Sequence, residues 1–156
     1  MSLKSRTIAL LSVLALSAPS LGALACSGAN ATEPTASDAP TEYTIEATAA
    51  PVKVGSEGFA VVTIKIRGEY HWNKEYPAKA TVANSGFSAI DVKKTEFKQT
   101  SGDFEAEETV ATVKIPVTGK ATGKETLKVD TRFSVCSDKV CLIKKASADV
   151  TVVVAD

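Results

Sequence analysis

The chain has 156 residues, the length of one domain with appendages, and its 18 basic and 18 acidic side chains balance to a formal charge of zero. No basic stripe or cluster runs through it, which argues against nucleic acid as a partner. The cysteine count is three, and an odd number needs an account.

Residues 1–25 read as an export signal. Lys4 and Arg6 form a charged start, Thr7 to Leu16 an apolar middle, and Ala23-Leu24-Ala25 a small-residue cleavage site. The apolar run is too short to span a bilayer comfortably. Removing the segment leaves 16 basic and 18 acidic side chains, a formal charge near −2. Export places what remains in a compartment that permits disulfides. Cys26 would be the first residue after cleavage. This junction resembles a bacterial lipoprotein signal, in which that cysteine is acylated; the departure is Ala23, where Leu is usual. Ordinary cleavage at the same bond would leave an unpaired thiol, whereas acylation accounts for the odd cysteine. The several acyl chains of such lipoproteins suffice for stable membrane anchoring. Residues 26–41, small, polar and punctuated by Pro34 and Pro40, read as a flexible tether with a reach of about 20 Å.

From Tyr43 onward the pattern is β, and residues 42–156 form the predicted domain. Short strands are expected at Tyr43–Ala49, Lys79–Asn84 and Ile90–Phe97. Ala60, Val62, Ile64 and Ile66 alternate with Thr63 and Lys65. Thr109, Ala111, Val113, Ile115 and Val117 repeat that signal, with Pro116 expected near the strand end. Leu127, Val129, Thr131, Phe133 and Val135 alternate against Lys128, Asp130, Arg132 and Ser134. Ala148, Val150, Val152 and Val154 give the closing strand. Glycines fall between these runs, and no stretch has sustained helical periodicity. About seven strands in about 110 residues predict an all-β, immunoglobulin-like β-sandwich.

Cys136 and Cys141 flank Ser137-Asp138-Lys139-Val140, a short polar stretch suited to a tight turn between two strands. Residues opposed across such a hairpin lie within reach of a disulfide. A bridge there closes a loop of a few residues and contributes about 2 kcal/mol, against about 4.7 for a 100-residue loop. Its making and breaking then explains it better than its stability does. By strand parity Cys136 continues the polar series of Asp130, Arg132 and Ser134, so its thiol is expected to face outward. Arg132, Lys139, Lys144 and Lys145 are cations that favour a thiolate, and Asp138 opposes them.

The segment Phe133–Leu142 resembles the signature of the N-terminal domain of the thiol:disulfide interchange protein DsbD. Gly68-Glu69-Tyr70-His71-Trp72-Asn73 with Tyr76-Pro77 is similar to that family's Gly-aromatic-His stretch, and the resemblance covers roughly residues 43–154. It implies a periplasmic immunoglobulin-like domain that exchanges electrons through Cys136 and Cys141 as catalytic cysteines and needs no cofactor. It implies thioredoxin-like or other periplasmic redox proteins as partners, with Cys141 forming the mixed disulfide. It also implies a cap loop at Asp103-Phe104-Glu105, with Phe104 over the bridge. The departures are Leu142-Ile143-Lys144, where aromatic or Leu and then prolines are usual, a variable cysteine spacing, and the lack of further domains. A separate protein is therefore expected as electron donor.

Other readings stay open. Phe104 also suits an ordinary core position. His71, the single histidine, would make a soft site for copper or zinc with the two cysteines, though zinc would lack a fourth ligand; its simpler role is structural, beside a core Trp72. Asp91–Lys98 reads as a solvated edge strand. The rivals to electron exchange are a lipoprotein binding module with an inert hairpin disulfide and a metal chaperone.

Overall fold

The computed structural model describes residues 41–156. The expectations for the export signal, Cys26 and nearly all of the tether lie outside those residues. The described chain is built from β-strands apart from one 3-10 turn at Gln99–Ser101. In order they are β1 (Tyr43–Ala49), β2 (Val52–Lys53), β3 (Glu57–Ile66), β4 (His71–Trp72), β5 (Lys79–Val82) and β6 (Ile90–Asp91). Then come β7 (Glu96–Lys98), β8 (Phe104–Ala106), β9 (Val110–Gly119), β10 (Gly123–Cys136) and β11 (Cys141–Ala155).

Two sheets result. One orders β1, β3, β9 and β6, with β8 also paired to β9; the other orders β2, β11, β10, β5 and β7, with β4 also paired to β10. Every named pair is antiparallel except β2 with β11. The alternating apolar residues of β3, β9, β10 and the end of β11 turn inward and form the core between the sheets. Each fully buried Val, Ile, Leu or Phe adds about 1.5–3 kcal/mol relative to exposure. Thr131 shares that buried face, and its hydroxyl donates to Ala146 O at 3.0 Å. No buried side-chain polar atom among the described residues lacks a partner. The fold is an immunoglobulin-like β-sandwich, as the periodicity predicts.

Two strand expectations change. Ile90–Phe97 is not one strand: β6 joins β9 in one sheet and β7 joins β5 in the other. Ile90 and Phe97 are both buried, but Lys93 and Lys94 between them are exposed, so the chain crosses from sheet to sheet there. Pro116 is not at a strand end either, since β9 runs on to Gly119. Gly119 N donates to Ser56 O, which makes every second pair along β3 and β9 hydrogen-bonded and leaves Pro116–Phe59 among the others. The proline nitrogen thus points away from β3. On that side β9 pairs with β8 at residues 111–113 and with β6 at 118–119, so no ladder bond is lost. At Gly119 itself the strands come so close that a Cβ would lie 2.5 Å from Lys53 O.

Candidate functional site

β10 and β11 are the longest strands and run in unbroken register from Gly123–Val154 to Cys136–Cys141. The loop Ser137–Val140 closes them. Ser137 N donates to Val140 O at 2.8 Å, and the Ser137 hydroxyl accepts from Lys139 N and Val140 N, both at 3.3 Å. A serine accepting from backbone two and three residues on is a local turn device. Because the 137–140 pair carries the hydrogen bond, Cys136 and Cys141 face each other at the closer, non-bonded position, with Cα atoms 4.0 Å apart. The two sulfurs are bonded.

On its other side Cys136 meets β4. Cys136 pairs with His71 and Val135 with Trp72. Directly opposed residues share a sheet face, so His71, Cys136 and Cys141 stand in one row across three strands. Trp72 turns inward, stacked on Phe133 at 5.3 Å and 13°. Several hydrogen bonds hold the segment in place: Trp72 N to Glu108 O at 2.7 Å, Asn73 N to Ser134 O at 3.0 Å, and the Trp72 indole N–H to Gln99 Oε1 at 2.9 Å. The Gln99 amide also donates to Lys74 O. His71, Asn73, Lys74, Glu75 and Glu108 line a depression of about 460 Å³ with both cysteines.

The row corrects the expectation that Cys136 faces solvent. Its parity is outward, but β4 and the turn after it close over that end of the sheet, and Cys136 is only 7% exposed. Cys141 is the exposed partner, beside Val140 and Ile143, which are exposed as well. The two sulfurs are therefore unequal in access. The cations also sort by face. Lys144 lies on the opposite face and pairs with Glu42 at 2.7 Å, and its ammonium holds that carboxyl below the usual range. Of the two adjacent lysines, only Lys145 shares the face of the disulfide.

The structure places Phe104 in the core. It packs tilted against Trp72, with ring centroids 6.0 Å apart, and does not line the depression before the disulfide. Asp103 turns to Lys94 at 2.5 Å and to Lys98 N at 2.8 Å, and these contacts, Lys94 first, lower its pKa. Beside Cys136 stand β4 and its following turn, which line the depression with it. Register brings His71 to the disulfide. Its place in the resembling Gly-aromatic-His stretch was the available signal, because its pairing partner is 65 positions away.

Fold and site together define an immunoglobulin-like β-sandwich with a disulfide closing the tip of its longest hairpin. No protein-family model matches the chain, and no curated protein does. Among solved structures it is similar to a PapD-like domain of human CEP192, at 11% identity over 84% of this chain and 99% of that one, TM-score 0.35. A Porphyromonas gingivalis protein of unknown function matches at 11% identity over 74% of this chain and 48% of that one, TM-score 0.37. AggA, the major subunit of an Escherichia coli aggregative adherence fimbria, matches at 11% identity over 73% and 96%, TM-score 0.35.

Proposed function

We propose that this domain is a thiol:disulfide exchange module of the periplasm, tethered to a membrane through Cys26 and working through Cys136 and Cys141. The observation that carries the reading is the inequality of the two sulfurs at the tip of a hairpin that does not need a covalent tie. The resemblance to the DsbD N-terminal domain points the same way.

An incoming partner thiolate attacks exposed Cys141 Sγ. The Cys136–Cys141 bond breaks, its electron pair leaves on Cys136 Sγ as a thiolate, and a mixed disulfide joins Cys141 to the partner. A second partner thiolate then attacks the partner sulfur of that bond and releases Cys141 as a thiolate. The domain gains two electrons and the partner becomes a disulfide. Reversal passes the electrons onward, with Cys136 resolving the mixed disulfide. His71 stands in register with Cys136 on the same sheet face, beside the leaving sulfur's strand.

The reduction potential of the purified protein tests this. A value less negative than about −300 mV is expected for a labile bond, and one below it marks a resistant structural bond. The second outcome favours the binding module with an inert disulfide, a reading that the deep cover of Cys136 supports. For metal handling the thiols must first be freed. With the bridge closed, no group of three or more His, Cys, Asp or Glu among the described residues is arranged to hold a metal ion.

A further inference from the structure

The outer face of the six-stranded sheet carries one row in which every side chain is a cation. Lys98 opposes Lys79, Lys79 opposes Arg132, and Arg132 opposes Lys145, so four basic residues stand side by side across β7, β5, β10 and β11. The next row is acidic: it holds Glu96, Thr81, Asp130 and Ser147, with the Ser147 hydroxyl donating to Asp130 at 2.5 Å, and beyond it Lys128 opposes Asp149. Like charges directly opposed across strands destabilise a sheet, and adjacent strands are only about 4.7–4.9 Å apart. Such a row costs stability unless an anion meets it.

Half of the row has its anion. Glu96, on β7, pairs with Lys79 and with Lys98, the latter at 2.7 Å, and the two lysines hold its carboxyl down at about 2. The other half has none. Among the described residues no carboxylate lies within ion-pair distance of Arg132 or Lys145. Both side chains are exposed, and with Lys79, Lys128 and Asp130, whose carboxylate is held by the Ser147 hydroxyl, they line a concavity of about 500 Å³.

We propose that Arg132 and Lys145 form a carboxylate-binding site for an acidic side chain of a protein partner that docks on this sheet face. A partner carboxylate would do for Arg132 and Lys145 what Glu96 does for Lys79 and Lys98. The guanidinium fork matches a carboxylate with two parallel hydrogen bonds, and Lys145 adds a point charge one strand away. Position favours a protein over a free anion. Arg132 and Cys136 lie four residues apart on the same face of β10, about 13 Å, and Lys145 and Cys141 are spaced alike on β11. Exposed Val140 and Ile143 lie beside Cys141. Apolar contact near the sulfur with a charged contact at its margin is the ordinary anatomy of a protein interface. That this partner is the one exchanging thiols rests on the function proposed above; the carboxylate site itself does not.

The test uses the full-length protein with its bridge closed, titrated at constant ionic strength with a hexaglutamate peptide and, separately, with inorganic phosphate, followed by backbone amide shifts. Hexaglutamate should shift the amides around Lys79, Arg132 and Lys145 saturably. Arg132→Thr with Lys145→Thr should weaken that binding about tenfold. The same variant should raise Tm by about 1–4 °C, because the opposed charges are gone. Phosphate binding as tightly as the peptide would make this a free-oxyanion site and overturn the docking proposal. An absence of saturable shifts, unchanged binding in the variant, or a fall in its Tm would each overturn the site. Peptide binding by a protein whose Cys136→Ala form traps no partner would remove the exchange reading and leave the site standing; a trapped partner without peptide binding would do the reverse.

Discussion

Opening the Cys136–Cys141 bridge should cost the fold little. The two cysteines are five positions apart, and closing a loop of that size removes unfolded-state entropy worth about 2 kcal/mol. The native side loses less still, because the register from Gly123–Val154 to Val135–Leu142 continues to hold the hairpin. At about 2.1 cal/mol/K per residue over the described domain, 2 kcal/mol lowers Tm by roughly 8 °C. The assay is guanidinium unfolding with and without dithiothreitol, followed by the fluorescence of Trp72, the single tryptophan. The midpoint should fall while the slope m stays constant, since the surface exposed on unfolding barely changes. A loss of about 4 kcal/mol or more, or collapse of the near-ultraviolet dichroism on reduction, would refute the reasoning and make the bridge structural.

Three further outcomes follow from the geometry. If the exchange reading holds, Cys136→Ala should accumulate a mixed disulfide with a partner in cells of the native host and Cys141→Ala should not, as read by non-reducing electrophoresis; the reverse pattern would move the attack to the covered sulfur. Phe104→Ala should destabilise by about 3 kcal/mol in a urea melt, as expected for a truncated core Phe, with little change in the rate at which a small thiol reduces the bridge; a faster reduction with full stability would restore Phe104 as a cap. Glu125 accepts from Ala89 N, the Ser88 hydroxyl and Ser88 N, which hold its carboxyl below the ordinary value of 4.5. A lowered folded pKa gives stability that is present above the unfolded value and lost as pH falls through the folded one. Wild-type Tm should therefore drop more steeply below pH 4.5 than that of Glu125→Gln, and parallel acid limbs would refute the contribution.

The sandwich was legible because β3, β9, β10 and the end of β11 are long and alternate strictly, and a period of two survives without knowledge of the partner strand. Short elements were not legible in this way. The two-residue β4 and β6 carry no periodicity, and Ile90 to Phe97 looks continuous although it serves two sheets. The cysteine pair was legible as a hairpin-tip bridge because both partners and the turn are local. The cover over Cys136, the place of His71 and the row from Lys98 to Lys145 depend on which strands become neighbours. That is decided by register across long separations. Lys144 and Lys145 are adjacent in sequence, yet one closes onto Glu42 and the other faces the concavity.

β4 owes its sheet membership to the last two residues of β10 alone. Native proteins open in local units whose free energies range from near zero up to that of global unfolding. We expect the corner made by His71, Cys136 and Cys141, anchored inward by Trp72, to be such a unit, with the covalent tie at its outer end. Cutting the tie changes how often that corner breathes far more than it changes the sandwich beneath. Hydrogen exchange at the amides of Trp72 and Asn73 then reports the redox state, while exchange at Val129 or Val150 keeps the rate of whole-domain unfolding. A docked protein would sense that state as a difference in the lifetime of one edge of the surface it grips, with no change in average shape.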